Sequence, residues 1–239
     1  MTTRRILASS GGFLPTDRWA VAQPGPVVAE MLRLTGRDRP RLLLVMTASG
    51  DDRTYLTRSY AAFRGWSVDV HHLELFSQPN ADPRELVLGS DAVWVGGGSV
   101  ANLLAVWRVH GLDSVFAEAW ESGIVLGGVS AGSLCWHVGG TTDSFGPELR
   151  AVDNGLGLLP YGNGVHYDSE EQRRPLLHRL VDEDVLPLSY ATDDGVGILY
   201  EGTEPVRVVT DQPSSAAAAY RVERVGGRVV ETRLAPGPV

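Results

Sequence analysis

Residues 41–47 are the stretch of sequence that most restricts the fold of this chain. They read Arg-Leu-Leu-Leu-Val-Met-Thr, which is a nearly continuous apolar run. A run of this kind is typical of a strand covered on both faces, because helices pack against both faces of a mostly parallel sheet. The sequence therefore predicts a layered α/β fold with a mostly parallel sheet flanked by helices.

The rest of the chain alternates short apolar runs with amphipathic stretches, a pattern typical of strands and helices in layered α/β proteins. The alternation predicts strands at residues 6–10, 67–75, 91–95 and 124–126. It predicts helices at residues 26–34, 52–63, 102–110, 114–120 and 169–182. After residue 187, strands separated by turn residues predict antiparallel C-terminal strands. No linker is evident, so we expect residues 1–239 to form a single α/β domain.

All 21 basic residues are arginines, and lysine is absent. The absence excludes a Schiff-base lysine, the lysine of a phosphate-binding P-loop and a serine–lysine dyad. The net charge of −8 also argues against nucleic-acid and anionic-membrane partners, because both need clustered positive charge on the protein. The chemistry is therefore expected to depend on serine, histidine, acidic residues, arginine or backbone groups.

Cysteine use and the N-terminal residues bear on location. The one cysteine, Cys135, cannot form an internal disulfide, which makes a reducing, cytoplasmic location the expectation. The Arg4-Arg5 pair imitates an export signal. However, the apolar run after it is too short for a signal peptide or a membrane span. We therefore expect no membrane association.

The segment 128–132 has the pattern Gly-x-Ser-x-Gly, with Ser130 at its centre. The match alone is weak evidence, because a chain this rich in glycine produces it often by chance. Its context is more informative, since an apolar strand precedes it and a plausible helix follows, as in a nucleophile elbow. A sharp turn of this kind exposes the serine hydroxyl and points helix N–H groups at a developing oxyanion. The alternative is a tight turn without a catalytic role.

A second glycine turn, residues 96–98, also follows a predicted strand and precedes a predicted helix. Glycines at the carboxyl end of a parallel strand leave backbone N–H groups unshielded, so Gly97 or Gly98 could serve as an oxyanion donor. The rival interpretation is a phosphate cradle. Ala101 breaks the dinucleotide-binding pattern and the P-loop lysine is absent, which argues against a cradle.

A serine nucleophile needs a histidine base and an acid that orients it. Of the six histidines, His166 is the candidate base, because it lies in a predicted loop or short strand before a helix and is free to face a cleft. His137 is predicted to lie two turns along the elbow helix, about 10 Å from the serine. A loop histidine without a role is the alternative for His166. The candidate acids, each of which could instead be a solvated loop residue, are Asp143, Asp168, Asp193 and Asp194.

Taken together, these motifs resemble the peptidase E family of aspartyl dipeptidases, which is related to the cyanophycinases. The resemblance rests on the 96–98 glycines, the Ser130 elbow, the His166 loop and the turn 192–195. It implies a flavodoxin-like or class I glutamine-amidotransferase-like fold. By position, it implies Ser130 as nucleophile, His166 as base, Asp194 as the acid and Asp143 as a further acidic residue. Asp194 stands where the family has glutamate, and Ser99 where asparagine is usual.

The resemblance further implies a serine exopeptidase without metal or cofactor, acting on small peptides such as dipeptides with N-terminal aspartate. The backbone N–H groups of Ala131 and of Gly97 or Gly98 would hold the oxyanion. Without lysine, an arginine would bind the substrate carboxylate. The eligible arginines are Arg53, Arg58, Arg150, Arg173 and Arg174. Two alternatives to the peptidase remain, an amidotransferase-like domain and a non-catalytic domain of the same fold.

An exposed edge of the C-terminal strands would also allow two copies of the chain to pair as a homodimer.

Overall fold

The computed structural model describes residues 3–213 and 216–239. These residues form two large β-sheets and a small hairpin, with helices packed around them. The strands are β1 (Arg5–Ser9), β2 (Phe13–Pro15), β3 (Ala22–Pro24), β4 (Arg41–Val45), β5 (Asp69–Leu73), β6 (Ala92–Val95), β7 (Val125–Val129), β8 (His137–Thr142), β9 (Arg150–Val152), β10 (Leu159–Gly164), β11 (Ser189–Thr192), β12 (Val196–Glu201), β13 (Glu204–Thr210), β14 (Ala219–Val225), β15 (Arg228–Leu234) and β16 (Gly237–Pro238).

Most of the helices occur where the sequence pattern predicts them. They are α1 (Pro26–Leu34), α2 (Arg53–Ala62), α3 (Pro83–Leu88), α4 (Val100–Val109), α5 (Leu112–Glu121), α6 (Ala131–Leu134) and α7 (Arg173–Asp182), with a short 3-10 helix at Thr47–Ser49. Proline at the first position starts α1, because its missing N–H has no partner in a first helical turn. Asp52 caps α2 by accepting a hydrogen bond from the Tyr55 N–H.

The first sheet has eight strands in the order β16-β13-β12-β1-β7-β6-β4-β5. The five strands from β1 to β5 in this order run parallel, whereas β12, β13 and β16 are antiparallel to their neighbours. The run at residues 41–47 supplies β4, whose Leu42 to Val45 are fully buried. The prediction of a mostly parallel sheet with helices on its faces and antiparallel C-terminal strands is confirmed.

The second sheet has the order β15-β14-β11-β10-β8-β9. Its strands β14 and β15 are among the antiparallel strands predicted after residue 187, whereas the sequence pattern does not predict β8, β9 or the assembly of a separate sheet. Its strands β8, β10 and β11 are parallel, and β9, β14 and β15 pair antiparallel at the edges. Because β8 begins at His137, the elbow helix α6 is a single turn, and the prediction that His137 lies on that helix is wrong. Similarly, α7 begins at Arg173 rather than at residue 169.

The packing of the first sheet brings three chain segments to one edge. Ser9 at the end of β1 is in register with Val129 at the end of β7, and Val95 at the end of β6 is in register with Gly128. The residues that follow these strands therefore meet at their carboxyl ends, where open α/β sheets form ligand sites.

Within the described residues, no helix is long and apolar enough to cross a bilayer.

Candidate active site

Ser130 occupies a sharp turn between β7 and α6. Its backbone dihedrals are φ 57° and ψ −113°, a conformation that is rare for any residue with a side chain. Strain of this kind costs about 1–3 kcal/mol and persists only where the surroundings impose it. The Ser130 N–H donates to the carbonyl oxygen of Ser9 at 3.0 Å, which ties the turn to the end of β1. This is the conformation of a nucleophile elbow.

The two glycines around Ser130 are required by close approach of the neighbouring strand. A Cβ atom on Gly128 would lie 2.5 Å from the carbonyl oxygen of Val95, and a Cβ atom on Gly132 would collide with the same oxygen. Both positions therefore accept no side chain while β6 keeps its place. The Gly-x-Ser-x-Gly pattern thus has a steric cause in this protein, namely the packing of the elbow against β6.

The glycine turn after β6 lies against the serine. A Cβ atom on Gly97 would be 3.4 Å from Ser130 Cβ and 3.9 Å from Ser130 Oγ. The Tyr55 hydroxyl lies against the same turn, 3.4 Å from where a Cβ atom on Gly96 would be, and burial raises the pKa of Tyr55. The structure gives no acceptor within residues 3–213 and 216–239 for the N–H groups of Gly98 and Ala131. Gly98, at φ +135°, is held against the Ala48 carbonyl, where a side chain would clash.

His166 follows β10 and makes two hydrogen bonds that fix its position. Its Nδ1 bonds Asp194 Oδ1 at 2.6 Å. Because a carboxylate only accepts, Nδ1 carries the proton and Nε2 is left as the nitrogen that can act as a base. The His166 N–H donates to the Ser10 hydroxyl at 3.0 Å, and the residue has a positive φ of 52°. The imidazole is one quarter exposed, so it borders solvent.

Ser10 is a site residue that the sequence analysis missed. Its hydroxyl lies 2.7 Å from Thr192 Oγ1 and 3.1 Å from the Thr192 carbonyl oxygen, in addition to accepting from His166. Ser9 accepts from Ser130, so consecutive residues at the end of β1 hold the serine turn and the histidine loop. A usable signal was present, since polar residues directly after a buried parallel strand often line a site.

The other predicted acids have different surroundings from Asp194. Asp168 Oδ1 accepts from the Asp194 backbone N–H at 2.8 Å and so supports the turn. Asp193 is buried and accepts from the Ala218 N–H and the Tyr220 hydroxyl, and burial raises its pKa. Asp143 is 62% exposed, and its nearest cation is Arg173 at 3.9 Å. Within the described residues, Asp194 is therefore the one of these four acids whose carboxylate hydrogen-bonds His166.

The five eligible arginines differ in whether the described structure gives them a carboxylate partner. Arg173 is buried and bonds Glu170 and the Thr141 carbonyl, and Arg174 pairs with Glu231 while stacking on Tyr167 and Tyr220. Arg53 lies 3.8 Å from Glu74. The remaining two, for which no carboxylate partner is found in the described part of the chain, are Arg58 and Arg150. Of these, Arg58 lines a cavity that also contacts Val129, the residue before the serine.

His137 is fully buried in β8 and is a structural residue. Its Nδ1–H donates to the Ser133 carbonyl oxygen at 2.9 Å, whereas Nε2 has no partner among the described residues. Burial lowers the pKa of His137 from 6.5 to about 4. The imidazole is therefore neutral at pH 7 and is enclosed within the fold.

Because unfolding returns the His137 pKa to 6.5, the unfolded chain binds a proton that the folded chain excludes between about pH 4 and pH 6.5. The stabilisation is complete above pH 6.5 and is lost as the pH falls toward 4, by up to about 3 kcal/mol. We expect His137→Phe to reduce the loss of unfolding free energy between pH 7 and pH 4.5, as measured by urea denaturation. His110→Phe, at the end of α4, should leave the loss unchanged. An equal loss in wild type and His137→Phe would contradict the assignment.

Within residues 3–213 and 216–239, no group of three or more His, Cys, Asp and Glu side chains is arranged to bind a metal ion. Cys135 is fully buried, and burial raises the pKa of its thiol well above the usual value. This thiol is therefore a poor nucleophile, because the reactive form is the thiolate.

Known proteins provide a separate line of evidence. Residues 6–208 match the peptidase family S51. The chain is 38% identical over 233 residues to the uncharacterized peptidase YgaJ of Bacillus subtilis (strain 168), covering 97% of each chain. It is 27% identical over 166 residues to peptidase E of Streptomyces coelicolor, covering 62% of this chain and 63% of that one.

The fold is shared with a solved structure. The crystal structure of a peptidase from an acI-B1 actinobacterium superposes with a TM-score of 0.72 and 14% identity, covering 99% of this chain and 96% of that chain. At this identity the similarity concerns the fold. The family match, in contrast, extends over most of the sequence and includes the strands and turns that carry Ser130, His166 and Asp194. This chain therefore belongs to peptidase family S51.

Proposed function

We propose that the protein is a serine exopeptidase that hydrolyses short peptides through a Ser130–His166–Asp194 triad and an acyl-enzyme. The observation that carries the proposal is the 2.6 Å hydrogen bond between His166 Nδ1 and Asp194 Oδ1. The His166 loop is hydrogen-bonded to Ser10 and the Ser130 turn to Ser9, so both are anchored at the end of β1. The strained elbow at Ser130 supports the same role, because strain clusters where a site must hold a reactive group.

In the proposed reaction, His166 Nε2 takes the Ser130 proton as the hydroxyl oxygen attacks the scissile carbonyl. Asp194 holds the imidazole and stabilises its protonated form. The Ala131 and Gly98 N–H groups, which have no acceptor in the described structure, are the preferred oxyanion donors. Gly97, which lies against Ser130 in the same turn, is the alternative donor. His166 then protonates the leaving amine, and water releases the acyl group.

The preferred substrates are proposed to be dipeptides with N-terminal aspartate, following the resemblance to peptidase E. The domain is proposed to include residues 1–239, which is supported by a hydrophobic cluster that joins both sheets. Its members include Val45 and Ile6 from the first sheet and Leu159 and Tyr190 from the second. An amidotransferase-like role is less favoured, because the elbow holds serine and the Cys135 thiol is buried.

Purified wild-type protein is expected to hydrolyse Asp-Leu faster than Ala-Leu or Lys-Leu, as measured by chromatography of the released leucine. A fluorophosphonate probe should label Ser130, as measured by peptide mass spectrometry. Hydrolysis of Ala-Leu with no preference for Asp-Leu would retain the peptidase and reject the aspartate preference. Absence of both hydrolysis and labelling would indicate a non-catalytic protein of the same fold.

A further inference from the structure

A cavity of about 320 Å³ lies beside the nucleophile. Val129, directly before Ser130, and Gly11 form part of its lining, and Phe13 and Ala22 of the β2–β3 hairpin form another part. The helix α2 contributes residues spaced by three and four positions, which share one helix face. The α2 residues that line the cavity are Tyr55, Arg58, Ser59 and Ala62.

The cavity adjoins the glycine turn at Tyr55. A Cβ atom on Gly96 would lie 3.4 Å from the Tyr55 hydroxyl, and a Cβ atom on the next residue, Gly97, would lie 3.9 Å from Ser130 Oγ. A peptide whose carbonyl carbon lies at Ser130 would therefore have one of its neighbouring residues at the mouth of this cavity. The volume is near the lower end of ligand pockets, which span about 300–1,000 Å³, and it suits one amino-acid residue rather than a long peptide.

The chemistry of the lining selects what this residue would be. Phe13, Ala22, Ala62 and Val129 provide apolar walls, and Arg58 is the cation among the lining residues. Arg58 is exposed, and the described structure gives it no carboxylate partner. An aspartate side chain suits such walls poorly, because a carboxylate taken into an apolar cavity loses its hydrogen bonds with water. A residue with an apolar side chain and a free terminal carboxylate matches both features.

We propose that this cavity is the subsite for the leaving amino acid, and that Arg58 binds the free α-carboxylate of that residue. The guanidinium provides a planar pair of N–H donors that matches a carboxylate. Arg58 is then a specificity-determining residue that makes the enzyme prefer dipeptides with a free C-terminus. This inference rests on the proposed peptidase function. It assumes that the acyl part of the substrate lies on the side of Ser130 opposite the cavity.

The test measures binding, so that it does not depend on turnover. Isothermal titration of Asp-Leu and Asp-Leu-amide into the Ser130→Ala protein is expected to give about 10-fold tighter binding of the free acid, as for a partly solvated charged pair. Adding Arg58→Met should reduce this ratio to below about 2-fold, and Arg58→Lys should retain part of it. Arg53→Met is the matched control on the same helix, is 86% exposed, and should leave the ratio unchanged.

Three results would overturn the inference. The first is that the Ser130→Ala protein binds Asp-Leu and Asp-Leu-amide with equal affinity, or binds neither of them. The second is a ratio that survives Arg58→Met. The third is an equal loss of Asp-Leu and Asp-Leu-amide binding in Arg58→Met with Ala-Leu unaffected, because Arg58 would then bind the aspartate side chain. If the ratio behaves as expected but wild type hydrolyses no Asp-X dipeptide, the aspartate preference fails while the Arg58 subsite stands.

Discussion

Ser130→Ala is expected to lower kcat/KM for Asp-Leu by about 10⁴-fold or more. The alanine removes the only atom that can form the acyl-enzyme, and residual activity would come from the oxyanion donors and substrate binding alone. Because alanine keeps a Cβ atom, the strained backbone at φ 57° is preserved and the fold should be unaffected. The measurement is steady-state hydrolysis, with circular dichroism and thermal melting to establish that the variant is folded.

The matched control is Ser114→Ala in α5, where an exposed hydroxyl bonds the Gly111 carbonyl far along the chain from the elbow. This variant should keep wild-type kcat/KM and should still react with the fluorophosphonate probe, whereas Ser130→Ala should not. If a folded Ser130→Ala protein hydrolysed Asp-Leu at the wild-type rate, the serine mechanism would have to be abandoned.

Asp194→Asn is expected to lower kcat by about 10³–10⁴-fold with a smaller change in KM. An asparagine can turn its N–H₂ group toward His166 Nδ1, which favours the imidazole form with its proton on Nε2. In that form His166 cannot accept the Ser130 proton. The substitution preserves shape, so the 2.6 Å contact should persist while its chemistry is lost. Asp194→Glu keeps a carboxylate and should retain more activity than Asp194→Asn.

Asp143→Asn is the matched control, because this residue is 62% exposed and lies 3.9 Å from Arg173. It should change kcat by less than about 5-fold. Asp193→Asn should act on stability rather than on kcat, because the Asp193 carboxylate accepts from Ala218 and Tyr220. If Asp143→Asn proved as damaging as Asp194→Asn, the orienting role assigned to Asp194 would be wrong.

Local sequence predicts the elements whose boundaries are set by local chemistry. The range predicted for α1 is correct because Pro26 suits a first helical turn and Gly36 follows the end. The strand β4 is recognisable because both of its faces are buried, so its apolar run is continuous. The elbow glycines are recognisable because their steric role leaves no alternative residue at either position.

The part of the second sheet formed by β8 and β10 is not predictable from the same signals. Its strands β8 and β10 contain several glycines and few apolar residues, so they lack the periodicity of a strand. Gly140 and Gly162 are glycines because a Cβ atom would clash with Asn163 and Ser189 of the neighbouring chain segments. These constraints arise between segments far apart in sequence, and no window of local sequence contains them. The three-residue strands β2 and β3 are too short to give a pattern.

The sequence by itself determined the layered α/β class, the turn that holds Ser130 and the set of residues from which a triad could be drawn. It did so because apolar periodicity and glycine spacing report local burial and local backbone shape. The resemblance to peptidase E points to Asp194, but only the tertiary structure shows that the Asp194 side chain, rather than that of its neighbour Asp193, meets His166. The two residues are chemically identical, but one side chain meets His166 and the other turns toward Ala218 and Tyr220. Such a choice depends on which strands meet at the edge of the sheet, and distant parts of the chain set that arrangement.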